Sequence, residues 1–196
     1  MKFTNLEKIL PFGYIILVVL GIIKESVYYY QVGINILKYS NLMDILISPI
    51  SDLTSHPLIL TALIVYITAM YFIFVYASKN KNNKWASKLI MLNNSDLKPT
   101  TQESQIRLTN KLLSILLVCI MCFFLGIGIG NGKKVSDNIE SNNITYKHFI
   151  TFSNDESKLI YLIGSNSSNI FYIEQGNTNV KISPLSAIKT IEFLKE

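Results

Sequence analysis

The chain has 196 residues, 49% of them hydrophobic, with a formal net charge of +5 and a pI of about 9.1. Its apolar residues are gathered into runs rather than spread at a helical or strand period, which excludes an ordinary soluble domain and points to an integral membrane protein. The charge is equally localised: residues 1–24 carry +2, 25–56 carry −2, 78–111 carry +5 and 131–196 none. One basic loop therefore accounts for the high pI, with no need for a nucleic-acid-binding domain.

Residues 1–24 place Lys2 and Lys8 ahead of an apolar stretch over 9–23, as a secretory signal does. No small-residue cleavage site follows, so the stretch is expected to stay as an uncleaved first transmembrane helix. Fifteen residues of α-helix reach only about 22 Å, short of the ~30 Å hydrocarbon layer, and snorkelling of Lys8 and Lys24 would close the gap. Pro11 falls in the first turn, where its missing N–H costs little. Tyr28, Tyr29 and Tyr30 are expected as an outer aromatic belt.

The segment 31–56 is apolar but broken by Lys38 and Asp44. Asn41 is a good helix N-cap, with Asp44 three positions on and Leu42, Ile45 and Leu46 at helical spacing. Gly33 and the Ser48–Pro49 pair bracket it. Charges at mid-bilayer are costly, which favours an interfacial or re-entrant element on the outer face over a further span.

A second span is expected over 57–77, with no ionisable group besides its tyrosines. The loop 78–111 then carries Lys79, Lys81, Lys84, Lys88, Lys98, Arg107 and Lys111 against only Asp96 and Glu103. A short, lysine-rich loop stays in the cytoplasm, so the second span enters the cytoplasm and the third leaves it. Trp85, the only tryptophan, lies on a helix face with Leu89 and Leu92, while Lys81, Lys84 and Lys88 lie on another. Two readings stand for this stripe: a short helix on the inner membrane surface, or a solvated loop. Lys81, Lys84, Trp85 and Lys88 are the candidate partner- or lipid-docking residues.

A third span over 112–130 ends in a run of glycines at 126, 128, 130 and 132, followed by Lys133 and Lys134. This is no phosphate-binding loop, since Ile127 stands where a P-loop needs glycine and Lys134 where it needs Ser or Thr. Gly126, Gly128 and Gly130 are instead expected at an oligomer interface, because small residues four apart let helices approach closely. Cys119 and Cys122 share a redox spacing but lie in the apolar run, where packing is the expected role.

From Val135 the periodicity switches to 2. Residues 144–152, 158–163, 169–174, 180–183 and 189–194 read as five short strands, with turns at Asn154–Asp155, Gly164–Asn166 and Gly176–Asn177. A turn at 183–186 is expected before the last strand. The predicted architecture is an α+β integral membrane protein. It has three transmembrane helices, an interfacial or re-entrant helix, and a small C-terminal antiparallel β domain over 131–196. So small a sheet is marginal alone and needs a prop from the membrane face or from its own copies.

No Ser/His/Asp arrangement, metal-ligand spacing or buried carboxylate pair is found, and His56 and His148 suit structural roles. The chain is expected not to be an enzyme and to take no cofactor. Two stretches, GINILKYSNLMDILISPI and YLIGSNSSNIFYIEQGNTNVKISPLSAIKTIEF, together with length, span count and the terminal β domain, resemble the KwaA-type membrane subunits of Kiwa anti-phage systems. The resemblance implies a homo-oligomeric sensor of phage attachment or envelope disturbance, a tetramer being the size considered. Such a sensor passes its signal to a cytoplasmic KwaB-like effector, and the chain itself does not touch nucleic acid. The C-terminal domain is then periplasmic or extracellular, on a bacterial inner membrane whose lipids are the other partners. A small pore or permeability effector is the alternative, although the spans lack the polar lining of an aqueous path.

Overall fold

The computed structural model describes residues 6–79 and 102–194. Among the described residues four α-helices precede five strands: α1 Leu6–Tyr30, α2 Leu42–Ser55, α3 Pro57–Lys79, α4 Gln102–Glu140, then β1 His148–Phe152, β2 Ser157–Ser165, β3 Asn169–Glu174, β4 Lys181–Pro184 and β5 Ile188–Phe193. Short 3₁₀ turns lie at Ile36–Lys38 and Leu185–Ala187. The α+β class holds. Pro11–Tyr30 and Leu113–Glu140 are each long and apolar enough to cross a bilayer. A third span arises only if Leu42–Ser55 and Pro57–Ile73, bent by 95°, count together. The chain forms two compact units, Met1–Ile50 with Phe124–Glu196, and Ser51–Phe123.

In the second unit, α3 is largely apolar and its two threonines close on their own helix. Thr61 donates to the Pro57 carbonyl (2.8 Å) and Thr68 to that of Ile64 (2.7 Å). Tyr66 stacks on Phe123 of α4 with ring centroids 5.7 Å apart.

In the first unit, α1 is longer than the expected 9–23. It runs through Lys24 and Glu25 because those charges pair with each other at 2.9 Å. It stops at a Schellman cap: Gly33 takes φ +78°, Gly33 N–H donates to the Tyr30 carbonyl and Ile34 N–H to that of Tyr29. α4 likewise overruns the expected boundary at Gly130. It continues ten residues to Glu140, where Asn142 (φ 54°) supplies the left-handed cap. Val135 and Ile139, one helical turn apart, keep it helical by packing on the β-sheet core. The switch to strand period therefore comes later than Val135, and the first strand begins at His148.

The sheet is antiparallel in the order β4-β3-β2-β1-β5. Its edges are β4 and β5, yet only Leu185–Ala187 separates them. A flat five-stranded sheet would hold its edges about 19 Å apart, and four Cα steps reach at most about 15 Å. The sheet must therefore curl. Ile150, Ile160, Ile170 and Tyr172 are buried inside the curl with Leu162, Ile188 and Ile191 around them. Leu185 N–H bonds the Ser168 carbonyl (2.8 Å) and Ser153 N–H that of Ala187 (2.9 Å), which ties the connection down. On the other side of β3, Phe171 and Ile173 are also fully buried, so β3 is covered on both faces.

Glu174 bridges three strands, accepting from Lys181 of β4 at 2.7 Å and Lys158 of β2 at 3.3 Å. Burial works to raise its pKa, but the two ammonium groups outweigh burial and hold the carboxyl below its usual range. A depressed carboxylate adds stability that is complete above its unfolded pKa and is lost as pH falls through the folded one. The melting temperature of the chain in detergent should therefore fall below about pH 4.5, and Glu174→Gln should flatten that fall while lowering stability at neutral pH.

Candidate functional site

Strands β2 and β3 fall out of register between Leu162 and Gly164, which leaves Ile163 as a bulge. A bulged residue drops out of the ladder, and its carbonyl needs another donor. Tyr28 near the end of α1 supplies it, its hydroxyl donating to the Ile163 carbonyl at 2.9 Å. Beside it, Tyr29 is buried against Phe171 with centroids 5.0 Å apart, and Tyr28 meets Tyr29 edge-on at 4.8 Å. Gly164 lies directly under the Tyr29 hydroxyl, where any Cβ would collide with it. Ile34, Ile36, Ile163 and Ile173 complete this core.

A second, polar layer joins the β2–β3 turn to the start of α2. Asn41 and Asp44 form a reciprocal capping box: Asp44 N–H donates to the Asn41 side chain (2.8 Å) and Asn41 N–H to the Asp44 carboxylate (3.1 Å). The same carboxylate accepts from the Ser167 amide (3.2 Å) and hydroxyl (3.1 Å). Asn166 and Asn169 both donate to the Tyr39 carbonyl, at 2.9 and 3.0 Å. The sheet is thus seated on the segment from Tyr28 to Asp44. Residues of 33–50 and 161–193 meet across this junction.

Below the junction, α1 is gripped from two sides. Gly21 lies against the backbone of Ile45 in α2, and Lys24 donates to Ser48 at 2.8 Å. Ser48 also bonds Glu25, which closes a three-membered polar cluster. On the α4 side, a Cβ at Gly128 would lie 2.7 Å from the Lys24 carbonyl, and one at Gly132 2.7 Å from that of Tyr28. Gln31 donates across to the Ile129 carbonyl at 3.1 Å.

This geometry redistributes the expected site residues. Gly128 is not available to an oligomer, because α1 already fills the space beside it, whereas Gly126 and Gly130 have nothing within 4 Å. Of the three tyrosines expected in a membrane belt, Tyr28 and Tyr29 are taken up by the sheet, and Tyr30 is the one left exposed, at 82%. Lys81, Lys84, Trp85 and Lys88 lie outside the described residues. The Tyr28–Tyr29 clamp was missed in the sequence, although Gly33 four residues on and the Asn/Ser-rich turn at 165–169 were its traces. Among the described residues no three His, Cys, Asp or Glu side chains converge as a metal site would need. The arrangement couples mechanically: it joins a sheet to two apolar helices through close backbone contacts and shared hydrogen bonds.

Two substitutions separate the two glycine rows. Gly132→Leu should cost the single chain about 1–3 kcal/mol by forcing α1 and α4 apart, whereas Gly126→Leu, whose Cβ meets nothing within 4 Å in its own chain, should leave the melting temperature unchanged once the chain is diluted in detergent to the monomer. Equal losses would mean that neither row is specific to α1. No protein-family model, curated protein or solved structure matches this chain.

Proposed function

We propose that this chain is an oligomeric inner-membrane sensor or scaffold that crosses the membrane three times. Its β sheet is on the exported side and its basic loop recruits a soluble effector in the cytoplasm. The observation that carries this reading is the seating of the sheet on two apolar helices at once. It is clamped to the end of α1 by Tyr28 and Tyr29, and α4 feeds into its core through Val135 and Ile139. α4 is one unbroken helix of 39 residues, about 58 Å long at 1.5 Å per residue, and begins within the basic loop. A load on the sheet then acts on a continuous helix whose other end lies in the loop that carries the proposed recruitment residues. Small sliding motions of packed helices are an established way to carry such a signal.

Self-association runs through Gly126 and Gly130, which leave open backbone on α4 after Gly128 and Gly132 are taken by α1. The defence setting and the KwaB-like effector rest on the resemblance to Kiwa membrane subunits. In that setting the chain reports attachment or envelope disturbance and acts through its partner.

Replacing Lys81, Lys84 and Lys88 together by Gln should abolish capture of the neighbouring gene's product from solubilised membranes, with oligomer size unchanged. A reporter fused after Ser153 should read the exported side in both proteins, since positive charge also orients spans. Full retention of the partner by a correctly oriented variant would reduce the loop to a topology signal.

A further inference from the structure

Helix α2 has three sides. At about 100° per residue, one side carries Ile45, Ser48, Pro49 and Asp52: Ile45 and Pro49 are buried, Ile45 lies against Gly21 of α1, Ser48 bonds Lys24 and Glu25, and Asp52 is half-buried. The next side, an arc of about 140°, carries Leu42, Met43, Ile47 and Ile50, every one of them exposed, with Leu46 half-exposed between them. The one hydroxyl on that side, Thr54, is satisfied by the Ser51 carbonyl at 3.1 Å. The remaining narrow strip carries Asp44, Ser51 and Ser55.

A helix that presents a polar strip beside an exposed apolar arc suits the plane of a lipid–water boundary. Two further observations fit that plane. α2 is bent by 95° from the apolar helix that follows it, so the two cannot both run along the bilayer normal. α2 also rests on α1, a helix long and apolar enough to span, whose own exposed residues include Phe12, Ile15 and Val19.

We infer that α2 lies in the leaflet on the β-sheet side and that its partner is lipid. Leu42, Met43, Leu46, Ile47 and Ile50 sit among the upper acyl chains, Ser51 and Ser55 face water, and Asp44 is held at the β2–β3 turn by Ser167. This deepens the membrane-sensor reading and rests on it, because it names the part of the chain that touches the leaflet. The consequence is direct: the first turn of α2 is bonded to Ser167, so a displacement of α2 by crowding or thinning of the leaflet is delivered to the β2–β3 turn.

The test is a depth measurement on the full chain in phosphatidylethanolamine–phosphatidylglycerol vesicles. Trp85→Phe serves as background, so that each introduced tryptophan is alone. Bromine is carried by the lipid either near the headgroup end of the acyl chain or near its terminus. Ile47→Trp should lose most of its fluorescence to the shallow bromine and little to the deep one, and Ser51→Trp should be spared by both. Met43→Trp gives the same reading if Ile47→Trp does not fold. Strongest quenching of the apolar-side tryptophan by the deep bromine would overturn the inference in favour of a helix that crosses or re-enters. Its escape from both would overturn it in favour of a protein covering, such as a second copy. Val118→Trp on α4 keeps the two readings apart. If it is quenched deeply while Ile47→Trp is not quenched at all, only the inference about α2 fails; if it too escapes, the membrane reading fails.

Discussion

One carbonyl governs this junction. The bulge at Ile163 takes its C=O out of the sheet ladder, and a buried carbonyl without a donor costs about 1–3 kcal/mol. The Tyr28 hydroxyl meets it from the end of α1. From that bond the rest follows: Tyr29 must lie over Gly164, the only residue that leaves room for its ring, and Phe171 must close on Tyr29 from the next strand. α1 must end there, and Gly33 turns the chain back so that Ile34 and Ile36 enter the same core. A sheet of this size, whose interior is a handful of isoleucines and one tyrosine, gains from the junction the second buried face that makes β3 a core strand.

Much of this was legible residue by residue. Alternation and turn residues located the five strands to within a few positions, the first one excepted, because a curled sheet still needs one face apolar and Asn, Asp and Gly still set its turns. The Asn41–Asp44 cap was legible for the same reason, since it is local chemistry. What was not legible depended on a distant partner. Val135 and Ile139 look like the start of a strand until the sheet they pack on is known. Tyr28 and Tyr29 suit a headgroup layer as well as a protein seam, because an apolar ring with a polar tip serves both. Gly126 and Gly128 are neighbours in one pattern, and only the position of α1 decides which of them is used inside the chain.

The same distinction organises the apolar helices. The charges of Lys24 and Glu25 looked like the end of a span. Paired with each other and with Ser48, they become a crossing point between α1 and α2 instead. Intramembrane or interfacial charges are kept only where they are paired or functional, and here the pair lies a turn from a close backbone approach, Gly21 against Ile45. α1 is thus held by glycine contacts on both sides and capped by the sheet. α2 and α4 reach the sheet beside it, α2 through Asp44 at Ser167 and α4 through Val135 and Ile139 on the sheet core.

The most direct measurement is amide hydrogen exchange on the full chain in detergent, wild type against Tyr29→Ala. If the sheet depends on the clamp, protection should fall together at residues 28–36 and at 160–174, on both sides of the junction. Loss confined to residues 28–36, with β2 and β3 as protected as before, would show a sheet that stands without α1 and would contradict the account.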